Sequence, residues 1–545
     1  MIHQHPFIRI TASFALGIAL GYYYPNGWIV VICVIIAFSI SLLQKFDRYH
    51  YNDHLCGMAL CIACLAMGIL TWITYPNPYS QELPKAGYYN AVLLQDAVEK
   101  PKTYQCIAQV TDTAGTPYKM ILYVQKDSLS ARLIEGSEME LFLTKAQAQT
   151  FSYYNKQSIY SSAYVARKQW KLLAQPPNNT LNSYARNTKQ YLLGTLKQHT
   201  DSTGYALTSA ITIGHKASLK GSTKQYFSAS GASHLLAVSG LHVGIIYAAI
   251  SLLLTPLRRF KKVQHIDQLL VVLLLWGYAF LCGLPPSIVR AVTMFSVGAL
   301  GVITKQKSQS INNVCFTAFI MLLYNPHYLF DMGSQLSFSA VIGILLYVES
   351  RRSQVKSQCK ITNRLLTWVK DMCGISLVAQ LATLPLILYY FGTFPTYFLL
   401  TNLVMIPLGT LLVYACLLLF ILSPTPLASW LEWPITFLTS SMQTVTQFIS
   451  AMPGAQLTNL HIGLFQAACL YALLFCLYRF YLHPMPKTLY PVLWSIIAGL
   501  VIWWKLRFWS TDARPYVPTL FASLMLLTFG IINAGHLNIF GCASA

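Results

Sequence analysis

Apolar runs of about twenty residues, the length a ~30 Å hydrocarbon core demands, recur along this chain from one end to the other. Three come first, near 6–24, 27–43 and 55–74. The pattern then changes over residues 75–225, where apolar and polar positions mix as in a soluble domain. Runs resume near 232–254, 267–284, 286–303, 311–325, 332–348, 372–391 and 396–422, and again near 462–481, 489–507 and 516–534. Between the last two groups, 427–451 has an amphipathic look with Trp430 and Trp433; it either crosses the bilayer or lies in its interface. The pattern predicts a polytopic α-helical membrane protein of about 12–13 spans.

Within the interruption the period falls to two. Tyr104–Val110, Tyr118–Gln125, Glu138–Leu143 and Tyr160–Leu173 alternate or are rich in β-formers, and Thr113–Pro117 and Glu135–Ser137 read as turns between them. Several short strands in so few residues predict a small β-barrel insert, OB-like in type. Its aromatics Tyr153, Tyr154, Tyr160, Tyr164 and Trp170 suit either base stacking or ordinary strand packing. Five parts follow: 1–74, three leading spans; 75–185, the β insert; 186–230, a basic helical collar; 231–425, a membrane core; 426–545, an interfacial helix and closing spans.

Composition agrees with a membrane protein: 55% of the 545 residues are apolar and 10% charged, with mean hydropathy +0.49. The net charge of +21 is informative only by position. Lys45 and Arg48, the Arg258–Lys262 cluster, Lys305 with Lys307, and the group from Arg351 to Lys370 all fall on one side if the spans alternate. The positive-inside bias makes that side cytoplasmic, with the N-terminus, and leaves 75–225 external. Beyond Pro424 the flanks Arg479–Lys487 and Lys505–Arg514 are both basic, so the side of the C-terminus stays open. The collar carries Lys216, Lys220 and Lys224 on the external side, where such charges run against the usual bias; they suit phosphates of DNA or of lipid headgroups. Cys61 and Cys64 have a metal-like spacing but sit in an apolar run with no partner pair, which favours packing.

The least lipid-like stretch is Gly231-Ala-Ser-His-Leu-Leu-Ala-Val-Ser-Gly-Leu-His-Val-Gly244. Polar groups in a bilayer must be paired or line a wet cavity. Gly240 and Gly244 offer a small-xxx-small face for close helix contact. On an unbroken helix His234 and His242 would stand about 80° apart, with His242 about 15 Å inward. A break at Ser239–Gly240 would bring both to one cavity, as in discontinuous transporter helices. Further polar residues mark other runs: Arg290 one turn after Pro285-Pro286, Asp331 with Ser334 and Gln335, and the deeper Gln380 and Asn402. These form either a pathway narrowing inward or a set of structural pairs, Arg290 with Asp331 first among them. No metal set, catalytic triad or phosphate-cradling loop is visible, so neither cofactor nor enzymatic activity is expected.

His234-Leu-Leu-Ala-Val-Ser-Gly-Leu-His-Val-Gly244 resembles the signature of ComEC-type competence proteins. Pro286-Ser-Ile-Val-Arg-Ala291, Asn325-Pro326 with Asp331-Met-Gly-Ser-Gln-Leu-Ser-Phe338, and Asn402-Leu403 with Ile406-Pro407 resemble its later motifs in order and spacing. The resemblance runs over about residues 1–480. It departs at Ser334, where an aromatic is usual, and at His215, where an acid often follows the glycine. The resemblance implies transport of single-stranded DNA across the cytoplasmic (inner) membrane during natural transformation. Pathway residues would be His234, Ser239, Gly240, His242, Arg290, Asp331, Gln335, Gln380 and Asn402, with Lys216, Lys220, Lys224 and Arg290 on phosphates. Implied partners are the strand, membrane lipids, a periplasmic or surface DNA receptor, a cytoplasmic translocase with strand-binding proteins, and a second copy in a homodimer. Many members end in a metallo-β-lactamase-like domain; this chain stops at Ala545 without an HxHxDH cluster, so no nuclease activity is expected. The competing reading is a secondary transporter of a small anion or lipid using the same half-helix geometry.

Overall fold

The insert is built on alternation. In the computed structural model, which describes residues 6–43, 52–75, 79–80, 82–95, 97–148, 159–175, 181–256, 266–303, 310–355 and 364–482, eight strands form one sheet. They are β1 (Gly87–Leu93), β2 (Val98–Glu99), β3 (Thr103–Thr111), β4 (Pro117–Gln125), β5 (Glu138–Leu143), β6 (Ala146–Ala148), β7 (Ser161–Val165) and β8 (Trp170–Ala174). Their order is β6-β7-β4-β3-β1-β5-β8, with β2 on β3. All pairs are antiparallel except β4 with β7. The inward positions Ala91, Leu93, Cys106, Ala108, Val110, Met120, Leu122, Met139, Leu141 and Leu143 make one core. Gly115 and Gly136 take positive φ (84° and 81°) in the two expected turns, a conformation glycine adopts without steric cost.

Three strand expectations hold to within a residue or so. The fourth divides, because Arg167–Gln169 forms a short 3-10 turn in which the Gln169 side chain accepts from the Ala166 N–H at 2.9 Å. The hydrogen-bonded path runs open from β6 to β8 and does not close into a barrel among the described residues. Trp170 packs against the core, whereas Tyr164 stands 52% exposed. Tyr153 and Tyr154 lie outside the described residues.

The described helices match the predicted runs, except over 232–254. Among the described residues, six are long and apolar enough to cross a membrane: Cys56–Thr74, Pro286–Ile303, Met332–Arg351, Leu366–Tyr390, Phe398–Leu422 and Leu464–Tyr481. Gly27–Ile40, Gly240–Leu253, Ile266–Leu281 and Ser310–Tyr324 are apolar but shorter. The expected runs at 489–507 and 516–534 lie outside the described residues. Residues 427–451 form a 3-10 turn, Pro426–Leu431, and then the helix Glu432–Ser450, whose Trp433, Phe437 and Phe448 are exposed.

The chain divides into two compact units. The first comprises Met1–Leu219, Val238–Ser334 and Val413–Thr436. In it the helices Pro6–Tyr23 and Asn52–Thr74 cross where only glycine fits: a Cβ on Gly17 would run into the Leu65 carbonyl, and one on Gly68 into that of Phe14. Phe14, Ile18, Cys64 and Leu322 are buried together beside this crossing, so Cys64 serves packing. The part of the collar in this unit forms two helices, Leu181–His199 and Ser202–Ile213, the second capped by Asp201, which accepts from the Gly204 N–H at 3.0 Å. His199 Nδ1 meets Glu432 at 2.7 Å and Tyr191 meets Ser423 at 3.0 Å. These bonds fasten the collar to the 413–436 segment.

The second unit comprises Lys220–Ala237, Gln335–Leu412 and the chain from Phe437. Its described spine is an antiparallel pair, Met332–Val355 from Gln335 onward against Arg364–Tyr390. Tyr390 donates to Gln335 at 2.8 Å, Ser339 donates to the Ala382 carbonyl at 2.7 Å, and Arg351 pairs with Asp371 at 3.0 Å. Between these, Gly343 faces Ala382 and Tyr347 lies across Gly374.

Candidate functional site

The signature stretch does not form the single helix expected over 232–254. The helix Gly221–Ser230 ends at Gly231, whose φ of 87° is left-handed; its neighbour Ala232 returns an N–H to the Phe227 carbonyl at 2.8 Å. A 3-10 turn, Ser233–Leu235, follows, and the next helix starts only at Gly240. Ser239 is extended (φ −119°, ψ 174°) and serves as its N-cap. The break therefore lies at Ser239–Gly240. Gly240–Leu253 has 14 residues, about 21 Å at helical rise, too short for a whole hydrocarbon core.

His242 closes this break. Its Nδ1 accepts from the Ser239 N–H at 3.1 Å and lies 3.0 Å from the Ser239 hydroxyl. An accepting Nδ1 puts the ring proton of a neutral imidazole on Nε2. The side chain is 1% exposed. Here the histidine does the work that Glu or Gln does at N3 of a capping box.

The second motif packs directly on the first. Ser287 donates to the Val238 carbonyl at 2.9 Å. A Cβ on Gly240 would lie 3.7 Å from that of Ala291, and one on Gly244 3.6 Å from the Phe295 ring. Phe295 stacks on Tyr247, centroids 4.8 Å apart. Arg290, one position before Ala291, is 3% exposed and donates to Ser334 Oγ at 3.3 Å. Asp331 and Tyr328 lie within its electrostatic reach. Asp331 Oδ2 accepts from the Ser334 N–H at 2.8 Å and so caps the Met332–Val355 helix. Three motifs, distant in sequence, are thus linked in turn within the first unit, the first to the second through Ser287 and Ala291 and the second to the third through Arg290 and Ser334.

In the second unit, His234 stands exposed on its 3-10 turn. That turn is seated on Phe398–Leu422: Gly231 abuts Phe398 and Pro395, and Leu235 lies 3.6 Å from the Gly409 Cβ position. Thr401 donates to the Ser230 carbonyl at 2.7 Å. Asn402, next along, is 8% exposed, and among the described residues its Oδ1 has no partner, nor does Gln380 Nε2. Gln335 accepts from Tyr390. Lys216, Lys220 and Lys224 are all exposed. Sequence reasoning gave no role to Ser287 and Thr401, whose hydroxyls bind the carbonyls of Val238 and Ser230. Their only signal was position, Ser287 inside a quoted motif and Thr401 beside one.

A family described as competence protein matches residues 211–484, just over half of the chain. ComE operon protein 3 of Bacillus subtilis (strain 168) is 33% identical over 210 residues, 38% of this chain and 25% of the relative. A protein of Aquifex aeolicus (strain VF5), described as uncharacterized, is 30% identical over 234 residues, 42% of this chain and 50% of the relative. The chain therefore spans a quarter and a half, respectively, of the lengths of these relatives. No solved structure matches. With its motifs assembled as described and the family's extent covered from residue 211 to 484, the chain belongs to the ComEC-type competence protein family and is a multi-pass helical membrane protein.

Proposed function

We propose that this protein conducts single-stranded DNA inward across the cytoplasmic membrane during competence. The observation that carries the reading is the linkage of the family's motifs to a broken helix: Ser239 and His242 cap a half-span on which Ala291 and Phe295 of the second motif's helix pack, and Arg290 of that helix reaches Ser334 of the third motif. A half-helix start offers oriented N–H groups at depth, where an anionic chain meets little competing water. The deeper polar groups Gln380 and Asn402 are uncharged, which suits passage, because a strand held tightly along its length would not move.

The insert acts in this reading as an external OB-type domain. β1 pairs with β3 and β5, β3 with β4, and β4 in parallel with β7, which is consistent with a five-stranded Greek-key barrel left partly open. Lys216, Lys220 and Lys224 supply exposed charge after it. The N-terminus is cytoplasmic and residues 75–225 external. A DNA receptor outside, a translocase inside and a second copy of the chain complete the assembly, and the chain itself is a conduit without catalytic activity.

The test is uptake of end-labelled DNA by competent cells lacking the chain. DNA should reach the cell surface but stay nuclease-sensitive, and the wild-type chain should restore protected, single-stranded label. Protected label in the deletion strain would overturn the reading.

A further inference from the structure

At one end of the insert's sheet, three turns are bonded side by side. The first is the tip of the β2–β3 hairpin, Lys100-Pro101-Lys102-Thr103, where the Lys100 N–H donates to the Thr103 carbonyl at 2.8 Å and Pro101 presets the turn. The second is the end of β4, whose Lys126 N–H reaches the Lys102 carbonyl at 3.4 Å. The third is Arg167–Gln169, after β7, where the Arg167 N–H donates to Gln125 Oε1 at 3.2 Å. Two carboxylates stand among these turns and each holds a cation: Glu99 meets Lys126 at 2.6 Å and Asp127 meets Arg167 at 3.7 Å. Glu135 and Glu138 adjoin β5, on the far side of β1 from these turns. Lys100, Lys102 and Lys168 are exposed and have no carboxylate partner among the described residues. Tyr164 stands on β7 just before the third turn, laterally beside Tyr123 of β4, and is 52% exposed.

An exposed hairpin tip has no packing role that calls for lysine. The bonds between the turns keep all three unpaired lysines at the same end of the sheet, and the positive field they share attracts a polyanion. In an OB-type domain the loop after the first long strand, with the face of the next two, takes oligonucleotides. The Lys100–Lys102 tip stands in that loop, between β1 and β3. We infer that this end of the insert binds single-stranded DNA, with Lys100, Lys102 and Lys168 on backbone phosphates and Tyr164 stacking a base. The site rests on the conduit reading and gives the insert its part in it. The phosphate contacts are indifferent to sequence, whereas Tyr164 favours a single strand, whose bases are free to stack.

The experiment titrates the full chain, in nanodiscs of neutral lipid, with fluorescein-labelled oligothymidylate at several salt concentrations. Lys100→Gln, Lys102→Gln and Lys168→Gln should each reduce the slope of log affinity against log salt by about 0.7, and the triple variant by about 2. At about 0.1 M salt that slope amounts to a roughly fivefold loss of affinity per lysine. Arginine at the same positions should restore both, because the contact is made by charge. Tyr164→Ser should weaken binding at least about fivefold with the slope unchanged, and Tyr164→Phe should bind as wild type. Lys85→Gln, also exposed but before β1 at the other end of the sheet, should alter neither affinity nor slope. All these side chains are exposed, and melting temperatures verify that each variant keeps its fold. Lysine variants with wild-type affinity and slope, or an equal loss in Lys85→Gln, would overturn the site and leave the conduit standing. So would variants that bind oligothymidylate normally but lose affinity for phosphatidylglycerol vesicles, which would assign the lysines to lipid headgroups. A wild-type chain that restores DNA uptake in cells yet does not bind the oligonucleotide would overturn the site alone; failure in both assays would overturn the conduit with it.

Discussion

His242 illustrates how a polar residue in a membrane segment can be spoken for locally. Its Nδ1 is engaged by the Ser239 N–H, and the side chain is buried. Glutamine at the same N3 position reaches back to a cap N–H in the same way. Replacement by alanine should cost about 0.5–2 kcal/mol of stability and reduce DNA uptake. His242→Gln should recover the melting temperature. If uptake recovers with it, the residue acts by setting the helix start; if uptake stays low at full stability, the ring itself meets DNA. The glycines of the stretch divide just as clearly. Gly231 is left-handed at φ 87° with Phe398 and Pro395 within 3.2 Å of a Cβ position, so Gly231→Ala should destabilise by at least ~1 kcal/mol. Gly240→Ala meets only ordinary contact at 3.7 Å and should leave the stability within about 0.5 kcal/mol of wild type. Purified variants in detergent give both comparisons directly.

At the scale of elements, the pair Met332–Val355 and Arg364–Tyr390 is joined by a ladder that advances four residues at a time: Gln335, Ser339, Gly343, Tyr347, Arg351. Such i+4 rows are the ridges along which helices pack. Lipid gives no hydrophobic incentive for association, so small residues and hydrogen bonds must hold the pair. A Cβ at Gly343 would sit 2.7 Å from that of Ala382. Gly343→Val should therefore separate the helices and lower yield and melting temperature more than Ser339→Ala, which removes one bond of about 0.6 kcal/mol; equal effects would count against the ladder. This ladder was not legible beforehand, although every rung is visible in the sequence. In a soluble helix the buried face announces itself by apolar periodicity, but here lipid and partner are both apolar, and the pattern averages out. The break at Ser239–Gly240 was legible for the opposite reason: Ser, Gly and His in an apolar run have few other uses. β1 escaped notice because it follows a short Pro- and Lys-containing segment (Leu83 to Ala86) and no turn signal of the expected kind precedes it. The strands with clear turns on both sides were placed to within a residue or so.

At the scale of the molecule, the chain passes between its two units inside its own signature stretch, at Ala237–Val238, and again at Ser334–Gln335 within the third motif. The two best-marked motifs are therefore also junctions. That arrangement works as a conduit only if the insert and the collar face the incoming DNA, which makes sidedness the decisive large-scale property. Native and engineered thiols read it out. Cys106, the insert's single cysteine, lies wholly inside the sheet core, where burial pushes its thiol up to about 12. Near pH 8 almost no thiolate forms there, and alkylation should wait until the insert unfolds. Cys56 is exposed at the start of the third helix, on the side assigned to the cytoplasm. Thr113, exposed in the β3–β4 turn, provides the outer position as Thr113→Cys. In intact spheroplasts a membrane-impermeant maleimide should label Thr113→Cys, leave Cys106 silent, and reach Cys56 only after lysis. Denaturant should then release Cys106, showing that its silence came from the fold and not from the membrane. Labelling of Cys56 before lysis, with Thr113→Cys protected, would invert the orientation and place the basic collar on the wrong side to receive a strand.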